Sequence, residues 1–276
     1  MKTREAVELF LSNREWRGLS IRTRQQYRQQ LYRFVNQFQD LPVKPEDIEK
    51  FLAHINATPE TVHSYIRTLR TFYNFLKERR KVPNPMIYIE NPKLSNKVMP
   101  TLEIEDIQLL SVFVKNQRDK ALIHLLLDTG IRAGEAINLK RDDINEDFIK
   151  VKGKVGERIV PISNSVVELL LSLPTHPDGY VFHGKKGRMT RSGVYYIVRK
   201  YLKMIGITGD KLGPHRLRHT FGRQFLNLGG DLRSLQLQLG HQNIQTTQKY
   251  ANLAINDVIK KHHKYTPLQV MELSHA

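Results

Sequence analysis

Over residues 1–90 the apolar positions recur every three or four residues, and no stretch alternates as a half-buried strand would. Ala6, Val7, Leu9, Phe10 and Leu11 give residues 2–16 one apolar face. Ser20 stands ahead of a longer run, Tyr27, Leu31, Phe34 and Phe38, where a hydroxyl caps a helix start. Pro45 opens a short helix through Ile48, Phe51 and Leu52, with Glu46 in its first turn. Thr58-Pro59-Glu60 marks a further start, and Val62, Tyr65, Ile66, Leu69, Phe72, Tyr73 and Leu76 carry that helix to about Lys81. Four amphipathic helices with short connections predict a four-helix bundle.

The pattern changes at a proline-rich stretch. Pro83, Pro85, Pro92 and Pro100 bracket a polar segment and mark a linker. The expected organisation is a helical domain over 1–91, a linker over 92–100 and a second domain over 101–276. Glu103, Glu105 and Asp106 crowd the first turn of a helix whose stripe is Ile107, Leu110 and Val114. Thr101 is its candidate N-cap, and with no glutamate three residues on, no capping box is expected. A helix from about Arg118 to Asp128 ends at Gly130. Residues 148–163, FIKVKGKVGERIVPIS, alternate around a glycine-containing turn and predict a β-hairpin. Tyr180–His183 reads as a third strand. Thr190 or Ser192 caps a helix with Val194, Ile197 and Leu202 inward, and Leu217, Phe221, Phe225 and Leu228 form one stripe of the next. Leu253, Ile255, Val258 and Ile259 give a last short amphipathic helix without an obvious core of its own. The fold class is mainly α with a small antiparallel sheet, α+β.

Charge adds a partner. The net charge is +17 with 44 basic and 27 acidic residues. Residues 1–98 hold 18 basic and 10 acidic residues, a net +8, so the remaining +9 lies in 99–276. Both halves are basic, which points to a polyanion, and nucleic acid is the favoured partner. Arg22, Arg24 and Arg28, then Arg67 and Arg70, form basic stripes suited to phosphates. There is no cysteine, which excludes a disulfide framework and cysteine-ligated zinc. No apolar run approaches the ~20 residues of a membrane span, and charges interrupt the apolar N-terminus, so no signal peptide is expected. A cytoplasmic location is expected and no membrane partner.

Candidate chemistry concentrates in PHRLRHTFGRQFLNLGGDLRSLQLQLGHQNIQTTQKY, residues 214–250. On a helix, His215 and Arg218 share a face. His241 follows Gly240, and Tyr250 stands nine residues later. Cations beside a phenol suit a phosphate-like anionic transition state with tyrosine as nucleophile. This ordered set resembles the tyrosine recombinases of the phage-integrase family, and among them the short Xer-like members. The likeness extends upstream: Gly130-Ile131-Arg132-Ala133-Gly134-Glu135 is similar to the family segment that carries an active-site arginine, matched by Arg132, with Glu135 as the acid that orients it. Gly153-Lys154-Val155-Gly156 resembles the family's hairpin turn with its catalytic lysine. Lys154 matches best, but valine replaces the usual glycine and the turn is one residue shorter, so Lys152 stays a second candidate.

The resemblance implies an N-terminal core-binding helical bundle and a mixed α/β catalytic domain of the tyrosine recombinase type, closing on double-stranded DNA. It implies strand cleavage through a 3′-phosphotyrosine on Tyr250 and a homotetramer in the synaptic complex, monomeric or dimeric off DNA. No extra arm-binding domain is expected ahead of the bundle. Arg132 and Arg218, with His215 or His241, would hold the phosphate, both histidines counting among the catalytic residues, and no metal or other cofactor is expected. Three rival readings remain. A type IB topoisomerase-like enzyme shares this chemistry but relaxes DNA. A DNA-binding protein with a spent site is disfavoured by the complete residue set. A zinc hydrolase on His215, His219 and His241 is disfavoured because Arg216 and Arg218 stand where a general-base carboxylate belongs.

Overall fold

The computed structural model describes residues 1–94, 99–153, 156–209 and 211–240. The chain divides into two compact units, Met1–Lys97 and Val98–Ala276.

The first unit holds α1 (Thr3–Trp16), α2 (Ile21–Gln37), α3 (Pro45–Ala53) and α4 (Pro59–Arg80). The expected starts are present. Ser20 Oγ accepts from Thr23 N at 3.2 Å, Thr58 Oγ1 accepts from Thr61 N at 3.4 Å, and Pro45 and Pro59 occupy first turns. The apolar stripes meet in one core around Phe10, Leu31, Phe34, Phe51, Leu69, Phe72 and Tyr73. Phe10 meets the edges or faces of Tyr27, Phe72 and Phe75 at centroid distances of 5.3–5.5 Å, geometry that adds to burial. A short 3-10 turn, Pro85–Ile87, packs back on α4.

The second unit is built around α6 (Gln117–Thr129), which packs against α8 (Asn164–Leu171) and α10 (Pro214–Asn227). Its other helices among the described residues are α5 (Ile104–Phe113), α7 (Ala133–Ala136), α9 (Arg191–Met204) and α11 (Leu232–Leu239). Leu122, Leu125, Leu126, Ile149, Val160, Leu170, Val194 and Leu217 lie in its core. The antiparallel hairpin of β1 (Phe148–Gly153) and β2 (Gly156–Pro161) runs from Phe148↔Pro161 to Gly153↔Gly156. Ile149 and Val151 face inward while Lys150 and Lys152 face outward, the period-2 split expected of one covered face.

Several local expectations are corrected. Tyr180–His183 is not a third strand of that hairpin. Tyr180 makes one isolated bridge to Lys140, and the next ladder is a separate ribbon, β3 (His183–Gly184) with β4 (Gly187–Arg188). The reason is burial: Val181 and Phe182 plug the core, and Val181 N is taken by Leu139 O. α5 does carry a reciprocal cap. Glu103 stands at its N-cap and Glu103 N donates to Asp106 Oδ2 at 3.0 Å, so an aspartate fills the role expected of glutamate. Thr101 Oγ1 instead accepts from Arg223. Of the two proposed caps for α9, Thr190 serves, accepting from Gly193 N at 3.1 Å. Leu228 is 84% exposed because α10 ends at Asn227; Leu226 packs with Leu235 and Leu239 in its place.

Candidate active site

The site is assembled at the C-terminal end of α6. Gly130 closes that helix in the left-handed region, φ 62°, and lets the chain turn at once into Arg132. A Cβ at Gly130 would lie 2.5 Å from Phe221 Cδ1 and 2.8 Å from Leu239 Cδ2, so glycine also admits α10 and α11 to this turn. Arg132 is the extended N-cap residue of α7, and Glu135 lies one turn in.

Glu135 is 3% exposed and ionised. Its carboxylate accepts from Arg132 N at 2.8 Å and Arg132 Nη1 at 2.9 Å. It also receives both ends of the Arg158 guanidinium fork, at 2.8 and 2.9 Å. Burial works against the charge, but the bonds from Arg158 and from the Arg132 backbone outweigh it and hold the carboxyl at about 2. Arg132 is thus anchored through one nitrogen while its side chain stays partly open to solvent.

Arg218, on α10, is 4% exposed. It donates to Gly130 O at 2.5 Å and Leu239 O at 2.8 Å, carbonyls at the C-terminal ends of α6 and α11. A cation suits those negative helix ends. His215, in the first turn of α10, keeps a solvent-facing edge, and Tyr195 meets its ring edge-on at 6.4 Å. Partial burial of the imidazole lowers its affinity for a proton, and the Arg218 and Arg132 charges lower it further. Beside it lies an open cleft of about 400 Å³ lined by Tyr195, Lys211, His215, Arg216 and His219.

The structure therefore brings Arg132, Glu135, His215 and Arg218 together. Lys154, His241 and Tyr250 lie outside the described residues, as does the short helix expected after Tyr250. Lys152 is exposed on β1, 3.6 Å from its cross-strand neighbour Glu157. In the first unit Arg22, Arg28 and Arg67 are exposed, whereas Arg24 pairs with Glu15 and Arg70 donates to Ile89 O and Asn91 Oδ1. Sequence reasoning missed Arg158, which it placed in the hairpin without a role. The available signal was Glu135 itself: a buried carboxylate needs more donors than one arginine supplies.

Comparison with known proteins identifies the family. The Phage integrase family matches residues 100–256, and the N-terminal SAM-like domain of phage integrases matches residues 8–80. Tyrosine recombinase XerD of Staphylococcus haemolyticus is 32% identical over 279 residues, covering 91% of this chain and 94% of that protein. Tyrosine recombinase XerD of Listeria monocytogenes is 34% identical over 281 residues, covering 90% and 94%. Among solved structures, XerA recombinase is 28% identical with a TM-score of 0.53, covering 96% of this chain and 99% of that one. The Tn1549 transposon integrase in complex with transposon right end DNA shares the fold, at 20% identity and a TM-score of 0.77, covering 96% and 99%. With the family matched over more than half of its length and relatives above 30% identity along nine-tenths of it, this chain belongs to the phage integrase family and is a tyrosine recombinase.

Proposed function

We propose that this recombinase cleaves and rejoins double-stranded DNA at specific sites through a 3′-phosphotyrosine on Tyr250, within a homotetramer. The observation that carries the reading is the gathering of Arg132, Arg218 and His215 around the end of α6, where the buried carboxylate beside Arg132, Glu135, is already bound to two arginines. Such a group holds the nonbridging oxygens of a phosphodiester as charge develops on them. Arg132 presents a partly open guanidinium for one oxygen, and Arg218 and His215 stand beside the neighbouring position. His241 completes the donor set.

Tyr250 attacks the phosphorus and the 5′ oxygen leaves, taking a proton from Lys154. The phosphotyrosine keeps the energy of the broken ester, so the 5′ hydroxyl of a second strand attacks it and releases the tyrosine without a nucleotide cofactor. The cations take the part that metal ions play in many phosphoryl-transfer sites. Arg22, Arg28 and Arg67 on the first unit serve as phosphate contacts, with Arg24 and Arg70 weaker because each already has a partner inside the unit.

The test uses a nicked duplex selected by covalent capture on the wild-type chain from a randomised library. Wild type forms a protein–DNA adduct in EDTA, and Tyr250→Phe binds the same duplex without forming one. An adduct mapping to Tyr195, Tyr196 or Tyr265, or cleavage lost on chelation and restored by zinc or magnesium, overturns this mechanism.

A further inference from the structure

We infer that Arg158 is a positioning residue for strand cleavage, setting the orientation of Arg132 by clamping Glu135 and tying that clamp to the end of α11. Arg158 is a β2 residue, 18% exposed at its side chain, and all three of its nitrogens are engaged. Nη1 and Nη2 donate to Glu135 Oε1 and Oε2 at 2.8 and 2.9 Å, and Nε donates to Gln238 O at 3.2 Å. The backbone around it is cleared to let this happen. A Cβ at Gly240, which stands at φ 63°, would lie 2.9 Å from Arg158 Nε and 3.0 Å from its Cζ. A Cβ at Gly153 would lie 2.8 Å from Glu135 Oε1. One guanidinium thus joins two segments, the α7 start that carries Arg132 and the α11 end that leads into His241, beside the β1 end at Gly153 that leads into Lys154.

The consequence rests on the proposed role of Arg132. Glu135 holds Arg132 through Nη1 and the backbone nitrogen while Arg158 occupies its other lone pairs. Without the fork, the buried carboxylate has only Arg132 to satisfy it and draws that guanidinium away from the phosphate. Lysine cannot substitute, because a single ammonium does not present two parallel donors to a carboxylate and a third to a carbonyl. A displacement on the order of 1 Å in a group that must meet the phosphate costs ~10²-fold in rate.

The experiment uses the full chain, wild type and Arg158→Lys, with the captured duplex in two forms. One carries an ordinary scissile phosphodiester. The other carries a methylphosphonate there, which lacks the charged nonbridging oxygen that Arg132 would hold. DNA affinity, melting temperature and the first-order rate of adduct formation at saturating protein are measured together, below the variant's melting temperature. The expected result is affinity within ~2-fold of wild type and a ~10²-fold slower rate on the phosphodiester. On the methylphosphonate the difference shrinks to less than ~5-fold, because the displaced arginine is no longer needed there. Wild-type rates in Arg158→Lys, equal defects on both duplexes, or loss of affinity in step with rate each overturn the proposal. So does a variant that has no folded state at any temperature where wild type cleaves, since Arg158 would then build the fold and not orient the site. An inactive wild-type chain would overturn the functional reading itself, whereas an active wild type with equal defects overturns only the role of Arg158.

Discussion

Replacing Glu135 by glutamine isolates what the buried charge contributes. The carboxylate is 3% exposed and receives four hydrogen bonds, three from guanidinium nitrogens and one from a backbone nitrogen. Glutamine keeps the size but offers one carbonyl oxygen, and turns an NH₂ toward donors that already need acceptors. Its carboxyl is held at about 2 against an ordinary 4.5, and at ~1.4 kcal/mol per pH unit that difference corresponds to about 3 kcal/mol. Burial of the group means solvent does not screen much of this away. The sign follows from the depressed value: the contribution is complete above about pH 4.5 and is lost as pH falls toward about 2. Near neutral pH the catalytic unit of Glu135→Gln should therefore melt roughly 6–12 °C below wild type. Thermal unfolding followed by circular dichroism at pH 7.5, 5, 4 and 3 checks both parts. The gap should be constant between pH 7.5 and 5 and close progressively below. A variant that melts with wild type at pH 7.5, or a gap that persists unchanged at pH 3, refutes the assignment of this stability to the Glu135 charge.

Three further outcomes are expected. The His215 ring should titrate below its ordinary 6.5 by nuclear magnetic resonance, and Arg132→Ala should move the midpoint upward by removing a nearby cation; a midpoint at or above 6.5 in wild type contradicts the geometry. Lys154→Ala should cleave an ordinary phosphodiester ~10²–10⁴-fold slower, and a 5′-bridging phosphorothiolate, whose leaving group needs no proton, should restore the rate. If Lys152→Ala shows that rescue while Lys154→Ala cleaves normally, the acid is Lys152. Gly130→Ala combines a left-handed φ of 62° with a Cβ 2.5 Å from Phe221, so it should lower the melting temperature by an amount equivalent to more than ~1 kcal/mol and slow cleavage through the turn that carries Arg132; melting and adduct formation like those of wild type would show that the turn relaxes freely.

What the chain determined by itself was local. Apolar spacing, Ser20 and Thr58 as caps, Pro45 and Pro59 in first turns and Gly130 as a left-handed stop place most helix ends, because each of these signals acts within about one turn of its own residue. The family was also legible, through the resemblance carried by the order of Arg132, His215, Arg218, His241 and Tyr250 along the chain. Where a local pattern met a tertiary demand, the tertiary demand decided. Val181 and Phe182 were drawn into the core and out of a ladder, and Leu228 was left outside when α10 stopped one residue earlier. Arg24 and Arg70 read as two more stripe arginines until Glu15, Ile89 and Asn91 came within reach. Arg158 shows the division most sharply. Its partners lie 23 residues back at Glu135 and 80 residues on at Gln238, separations that no helical or strand period encodes. A buried carboxylate requires enough donors to stay charged, but which donors supply them is decided by the packing that brings β2, α7 and α11 to one point.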